Sequence, residues 1–187
     1  MHARSFPLGR LGLAALAVPA ILAGQISPPA AARSTPMSPS YRGFTPGRSY
    51  QEFAERARAL ALRDTLRCNT SRNTAQLMEC GVAIRDPSDS ARFYLSAYVL
   101  EGKIAMLSLI DSGGPRLLDR TQRDLRARFG QAHRRERSMW EWTSGRRVVR
   151  FNWRGRGQAR WVSITLRDDD VMDGIARYVK RPNRRAP

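Results

Sequence analysis

Asp119-Arg-Thr-Gln-Arg-Asp-Leu-Arg-Ala-Arg-Phe-Gly130 is followed closely by Ser138-Met-Trp-Glu-Trp-Thr-Ser-Gly-Arg-Arg-Val-Val-Arg-Phe-Asn-Trp-Arg-Gly-Arg-Gly-Gln-Ala-Arg-Trp-Val-Ser-Ile-Thr-Leu166. The first segment has the period of a helix. Leu118, Gln122, Leu125 and Phe129 fall on one stripe. Thr121 with Asp124 gives a hydroxyl at a predicted N-cap and an acid three residues on. Gly130 suits a helix C-cap. The second segment changes period to two. Three strands are predicted, starting at Ser138, Arg147 and Gln158, with turns at Ser144-Gly145 and Gly155-Arg156-Gly157. Trp140 and Trp142 share one face. Val149, Phe151 and Trp153 share the inward face of the next strand, and Val162, Ile164 and Leu166 that of the third.

The same order is legible upstream. Ser49 and Glu52 form a capping box, and Phe53, Ala57, Leu60 and Ala61 follow at helical spacing, so a helix is expected from about Tyr50 to Arg63. From Gln76 the period again becomes two. Met78, Cys80, Val82 and Ile84 lie on one face. After a turn at Asp86-Pro87-Ser88-Asp89, Phe93, Leu95, Ala97 and Val99 share a face, with Tyr94, Ser96 and Tyr98 opposite. Glu101-Gly102 makes a tight reversal. Ile104 to Ile110 is apolar on both faces, as in a strand covered on both sides. Asp168-Asp169-Asp170 opens a last helix carrying Val171, Met172, Ile175, Ala176 and Val179, with acids where the helix dipole favours them.

The expected fold is α+β: two diverged αβββ units forming antiparallel sheet, with helices packed on one face, plus a C-terminal helix. The expected boundaries are a signal peptide over 1–32, a flexible linker over 33–47 and an α+β domain over 48–181. Within the domain the units cover 48–111 and 117–167 and the C-terminal helix 169–181. A basic tail covers 182–187.

Compartment is read from the first residues. His2, Arg4 and Arg10 precede a 14-residue apolar run, Leu11 to Gly24, and Ala30-Ala31-Ala32 offers small residues before a cleavage site near Ala32. This three-part pattern is that of a secretory signal peptide, and the run is short for a spanning helix. The alternative is an uncleaved anchor. A secreted or periplasmic location is expected, with no transmembrane segment after cleavage. Cys68 and Cys80 are the two cysteines of the chain. An even count in an exported chain favours a disulfide; two free thiols or half of a metal site are the alternatives.

Formal net charge is +17, from 33 basic and 16 acidic residues. Lys103 and Lys180 are the only lysines; the other 31 basic residues are arginine. Such a surface suits polyanionic neighbours. The bland reading is a genomic preference for arginine codons. Arg150, Arg154 and Trp161, with Tyr94 and Tyr98, fall on the faces opposite the apolar ones. They are the candidate binding residues, for an acidic protein or an anionic envelope component. Arginine would fork onto carboxylate or phosphate, and the aromatics would supply apolar area. The stretch Phe151 to Trp161 interleaves arginine with aromatics, as single-strand nucleic-acid surfaces do, but Phe151 and Trp153 point inward and export argues against that partner.

Signals for catalysis or metal binding are thin. Asp111-Ser112-Gly113-Gly114-Pro115 is similar to the nucleophile motif of chymotrypsin-type serine proteases, yet the only histidine before Ser112 is His2. His133 sits beside Arg134 and Arg135, which repel a metal cation, and reads as a solvated loop residue. Asp168, Asp169, Asp170 and Asp173 lack the spacing and mid-loop glycine of an EF-hand loop and read as a helix start. No catalytic residue, metal site or cofactor is assigned. A small envelope hydrolase would need an unrecognised carboxylate pair, such as Glu79 with Glu101 or Glu141. A purely structural domain is the third reading.

Thr121-x-x-x-Leu125-x-x-x-Phe129-Gly130, followed by Trp140-x-Trp142 and two strands, resembles the helix-to-sheet repeat of the BamE/SmpA-like outer-membrane-assembly lipoproteins. It is also similar to the repeat of β-lactamase inhibitor proteins, in which a helix is followed by a disulfide spaced like Cys68 and Cys80. The lipid-bearing cysteine of the lipoproteins has no counterpart here. The resemblance implies a binding or scaffold module whose sheet face meets another protein, and it carries over no catalytic residue.

Overall fold

The computed structural model describes residues 39–180, except 64, 72 and 73; the expected signal peptide and basic tail lie outside the described residues. Three helices accompany one eight-stranded antiparallel sheet. In chain order the elements are α1 (Tyr50–Leu60), β1 (Arg67–Ser71), β2 (Thr74–Arg85), β3 (Arg92–Leu100), β4 (Lys103–Gly113), α2 (Pro115–Phe129), β5 (Arg134–Glu136), β6 (Met139–Ser144), β7 (Arg147–Arg156), β8 (Ala159–Asp168) and α3 (Asp169–Lys180). The sheet order is β1-β2-β3-β4-β8-β7-β6-β5, so β4 and β8 pair at the centre. The α+β class and the antiparallel sheet agree with the sequence. Each of α1 and α2 is followed by four strands where three were expected. The added strands, β1 and β5, are the two edges.

Local chemistry sets the helix boundaries. The capping box of α1 forms: the Glu52 backbone N–H donates to Ser49 Oγ at 3.2 Å, and the Ser49 N–H to Glu52 Oε2 at 3.3 Å. Phe53, Ala57 and Leu60 are buried against the sheet. The helix stops at Leu60 rather than Arg63. Ala61 bridges Ile84, and the Leu62 N–H donates to the Ala83 carbonyl at 3.1 Å. The chain is needed there as a partner for the end of β2 that β1 does not reach.

The start of α2 corrects the sequence reading. It begins at Pro115 behind Gly114, which gives no side-chain cap. Proline at the first helical position lacks an N–H that would have no partner anyway, and its φ is already helical. Thr121 is therefore mid-helix and buried, and its hydroxyl donates to the Leu117 carbonyl at 2.8 Å. The buried stripe is Leu117, Thr121 and Leu125, with Leu118 and Phe129 partly covered. At the far end the Trp142 indole N–H donates to the Gly130 carbonyl at 3.1 Å. That bond ties the helix terminus to β6.

The main core lies between one sheet face and the helices α1 and α2. Val82, Ile84, Leu95, Val99, Leu107, Leu109, Val149, Phe151, Ile164 and Leu166 are at most 2% exposed. Trp140 packs edge-on against Trp142, Phe151 and Trp153. Trp140 and Trp142 are core, as alternation required, and Trp153 is partly buried against them.

Residues 39–47, expected as part of a linker, are packed. Tyr41 and Phe44 close a tight turn through mutual backbone hydrogen bonds of 3.0 Å and are buried in the core. Between them Arg42 binds Asp86 at 2.6 Å and Asp89 at 2.7 Å, and its guanidinium lies 4.7 Å from the Phe93 ring centroid. Burial opposes the Asp86 charge. The hydroxyl and backbone N–H of Ser88, with Arg42, outweigh that and hold its carboxyl at about 2.

Cys68 and Cys80 form a disulfide at paired positions of β1 and β2, with Cα atoms 4.0 Å apart. It fastens the edge strand to its neighbour. The aspartates at the start of α3 act as the sequence suggested. Asp168 Oδ1 accepts from the N–H groups of Asp170 (3.1 Å) and Val171 (3.3 Å), while its other oxygen meets Arg147 at 3.0 Å. Arg146 bridges Asp170 and Asp173. The helix packs against β3, β4 and β8. Leu100, Ala105 and Val148 are buried but stand outside the main core cluster. Val148 alternates with Val149, so α3 covers one end of the face opposite α1 and α2.

Candidate functional site

The face opposite α1 and α2 is the surface on which all five candidate binding residues fall. Strand register maps it. One row crosses Ser96, Ser108, Thr165, Arg150 and Glu141 on β3, β4, β8, β7 and β6. The next runs through Tyr94, Ile110, Ser163 and Asn152, and the next through Ser112, Trp161 and Arg154. On the other side Tyr98, Met106 and Arg167 continue towards α3. The middle of the face is thus small and hydroxylic, and Ser108 and Thr165 share a 3.1 Å hydrogen bond across β4 and β8. Aromatic and arginine side chains surround it.

The five residues do different work. Arg150 is engaged within the sheet: its Nε and Nη2 reach Glu141 Oε2 at 2.7 and 2.6 Å. Arg154 is exposed and lies over the Trp161 ring, 4.4 Å from its centroid. Among the described residues no carboxylate is within ion-pair distance of Arg154. Trp161 is half-buried between two depressions. The first, about 390 Å³, is lined by Leu62, Tyr94, Ile110 and Ser112. The second, about 480 Å³, is lined by Arg154, Gln158 and Arg160. Both include Trp161 and Ser112.

Tyr94 is 54% exposed. Its ring leans across Gly81, where an added Cβ would sit 2.3 Å from the tyrosine oxygen. Glycine at that strand position is what lets the ring lie flat. Tyr98 is half-buried; burial raises its hydroxyl pKa, and Glu79 on the neighbouring strand adds to the rise. Asp111, at the rim of the first depression, is also raised by burial, against the Ser112 N–H and the positive Arg120 and Arg42.

The turn that presents Arg154 depends on Gly155. Its φ is +92°, and an added Cβ would lie 2.0 Å from the Ala159 carbonyl oxygen. The hairpin also carries Arg156 and Arg160, and Arg160 donates to the Gly155 carbonyl at 2.7 Å. Sequence reasoning missed Leu62, Ile110 and Arg160. In the sequence Ser112 carries only a protease-like signal; its register partner is Trp161. Positive charge also lies elsewhere: Arg116, Arg120 and Arg123 are exposed on α2.

The carboxylates named for hydrolysis are placed as follows. Glu79 is on β2 and Glu141 on β6, five strand spacings apart, or roughly 24 Å at the usual separation of paired strands. That is well beyond the ~5–9 Å of glycosidase pairs. Glu101 sits in the β3–β4 turn with φ +50°. His133 Nδ1 accepts the Thr143 N–H at 2.9 Å on the β5–β6 side, far in the sheet order from Glu79. Among the described residues no three His, Cys, Asp or Glu side chains gather as a metal site, and no helix is long and apolar enough to cross a membrane. No family model matches the chain, and no curated protein or solved structure matches it.

Proposed function

We propose that this chain is an exported binding or scaffold module, without catalytic chemistry of its own, that meets an acidic protein or anionic envelope component through the far sheet face. The observation that carries the reading is the grouping of Arg154, Trp161 and Tyr94 on an end of that face that no described element covers. The arginine is stacked but has no carboxylate partner among the described residues, and two depressions flank the tryptophan. The disulfide supports an exporting route, because such bonds persist in oxidising compartments. The signal-peptide reading of residues 1–32 belongs to the same proposal.

The resemblance to the BamE/SmpA-like and β-lactamase-inhibitor repeats is kept as part of it. Two diverged units are supported by the order of elements, since α1 and α2 each precede four antiparallel strands and the two last strands pair centrally. A module of this kind works by presenting a preformed face, so binding needs little ordering of its backbone.

The test is charge reversal where it leaves the fold intact. Arg150→Glu would set a second acid beside Glu141 and is a poor probe. Arg154→Glu with Arg156→Glu changes two exposed positions on the hairpin. If the reading holds, partners retained at low salt by the unaltered protein and released by salt are lost from the double variant. Unchanged retention would overturn it.

A further inference from the structure

The first depression combines features that the charge reading does not use. Among the described residues, Leu62 and Tyr94 are the exposed large hydrophobic side chains, at 38% and 54%. Both line this one groove, with Ile110 and Trp161 as further apolar walls and Arg92 on its rim. Clustered apolar exposure rimmed by polar groups marks an interaction site more often than scattered exposure does. The second depression continues from it past Trp161, and there the lining turns to Arg154, Gln158 and Arg160.

We propose that this groove takes one aromatic or branched aliphatic side chain from a peptide segment of a partner protein, whose flanking acidic residues meet Arg92 on one side and Arg154 on the other. This rests on the far-face reading and narrows its partner to a protein. The lining decides the chemistry. Leu62, Ala83 and Ile110 would leave the sugar hydroxyls that face them unpaired. A phosphate headgroup would use the arginines and leave those apolar walls idle. A side chain of phenylalanine or leucine size fits inside a groove of about 390 Å³, and segments carrying such a residue between acids complement the arginines at both ends. Asp111, the acid among the described residues lining the groove, already accepts the Ser112 N–H at 2.7 Å, and Arg120 and Arg42 answer its charge from within the protein.

The experiment uses the full disulfide-bonded chain and three blocked pentapeptides. The first has a central phenylalanine between two acids on each side. The second replaces the phenylalanine with serine, and the third replaces the four acids with lysine. Binding is read from NMR shifts of the Trp161 indole N–H and the Tyr94 ring. The acidic phenylalanine peptide is expected to shift both saturably, about tenfold more tightly than the serine peptide, the effect of burying one large apolar side chain. The lysine peptide is expected to leave both unchanged. Tyr94→Ser and Leu62→Ser, both at exposed positions and checked for native signal dispersion, should each weaken the phenylalanine peptide and leave the serine peptide unaffected. Equal binding of the two acidic peptides would overturn the groove inference and leave the charge reading standing. No shift at the far face with either acidic peptide would overturn the groove inference and the acidic-protein form of the charge reading.

Discussion

The guanidinium of Arg154 lies 4.4 Å from the centroid of the Trp161 ring, across the β7–β8 pair in which the two residues are direct register partners. The stack holds an exposed arginine in a fixed place on the sheet face. An arginine held in this way loses little freedom when it binds a carboxylate.

A stack at an exposed site contributes little to stability. Arg154→Ala should therefore cost no more than about 1 kcal/mol in urea unfolding. It should also change the fluorescence of Trp161, because the cation leaves the ring face. A loss of several kcal/mol would mean that Arg154 holds up the hairpin rather than serving the surface.

Arg42 is the opposite case. Its side chain is 8% exposed and joins the N-terminal turn to Asp86 and Asp89. Removing one partner of a buried ion pair leaves the other charge stranded, at a cost of roughly 3–5 kcal/mol. Arg42→Ala should lower the unfolding midpoint by that order. An exposed control, Arg58→Ala, should stay within about 0.5 kcal/mol. Equal midpoints for the two variants would contradict the packing described for residues 39–47.

The same clamp sets an acid limit. The Asp86 carboxyl titrates at about 2 in the folded protein, against 3.8 for the free group. Between those values the unfolded chain binds more protons than the folded one, so stability rises with pH across the window and falls on acidification. The contribution is complete above about pH 4 and lost by about pH 2, and amounts to roughly 2 kcal/mol. Asp89 is also held low by Arg42 and works in the same direction. Thermal melts from pH 5 to pH 2 should show this loss, and Asp86→Asn should flatten it. A variant as acid-sensitive as the unaltered protein would place the titrating group elsewhere.

Reduction tests the edge of the sheet. The disulfide closes a short loop between β1 and β2, and its removal should cost roughly 2–3 kcal/mol. Hydrogen exchange should rise first in β1, which has one neighbour, and least in β4 and β8. Uniform acceleration across the sheet would contradict that order.

These expectations also mark what was legible in the chain. The capping box at Ser49 and Glu52, the alternation in β2, β3, β7 and β8, and the side on which Tyr94, Arg154 and Trp161 fall all follow from local pattern. Local rules carry that information because side-chain period and cap chemistry need no distant partner. Other features needed tertiary knowledge. Arg67-Cys68-Asn69-Thr70-Ser71 and Arg134-Arg135-Glu136 are edge strands with few apolar residues, so no alternation announced them. The start of α2 lacks a side-chain cap at Gly114, and Pro115 at the first helical position is the one local signal for it. The turn at Tyr41–Phe44 lay in a proline-rich stretch, and only the core it enters explains its order. Alternation places Arg150 on the outer face, but only the β6–β7 register sets Glu141 beside it.

The most direct measurement of the central claim compares retention of partners from a native extract by three proteins at low and high salt. One is unaltered, one carries Arg154→Glu with Arg156→Glu, and one carries Arg116→Glu with Arg123→Glu on the exposed side of α2. The account predicts that the salt-released partners persist on the α2 variant and disappear from the hairpin variant. Loss from the α2 variant with full retention by the hairpin variant would contradict it and move the interaction to the helical side of the sheet.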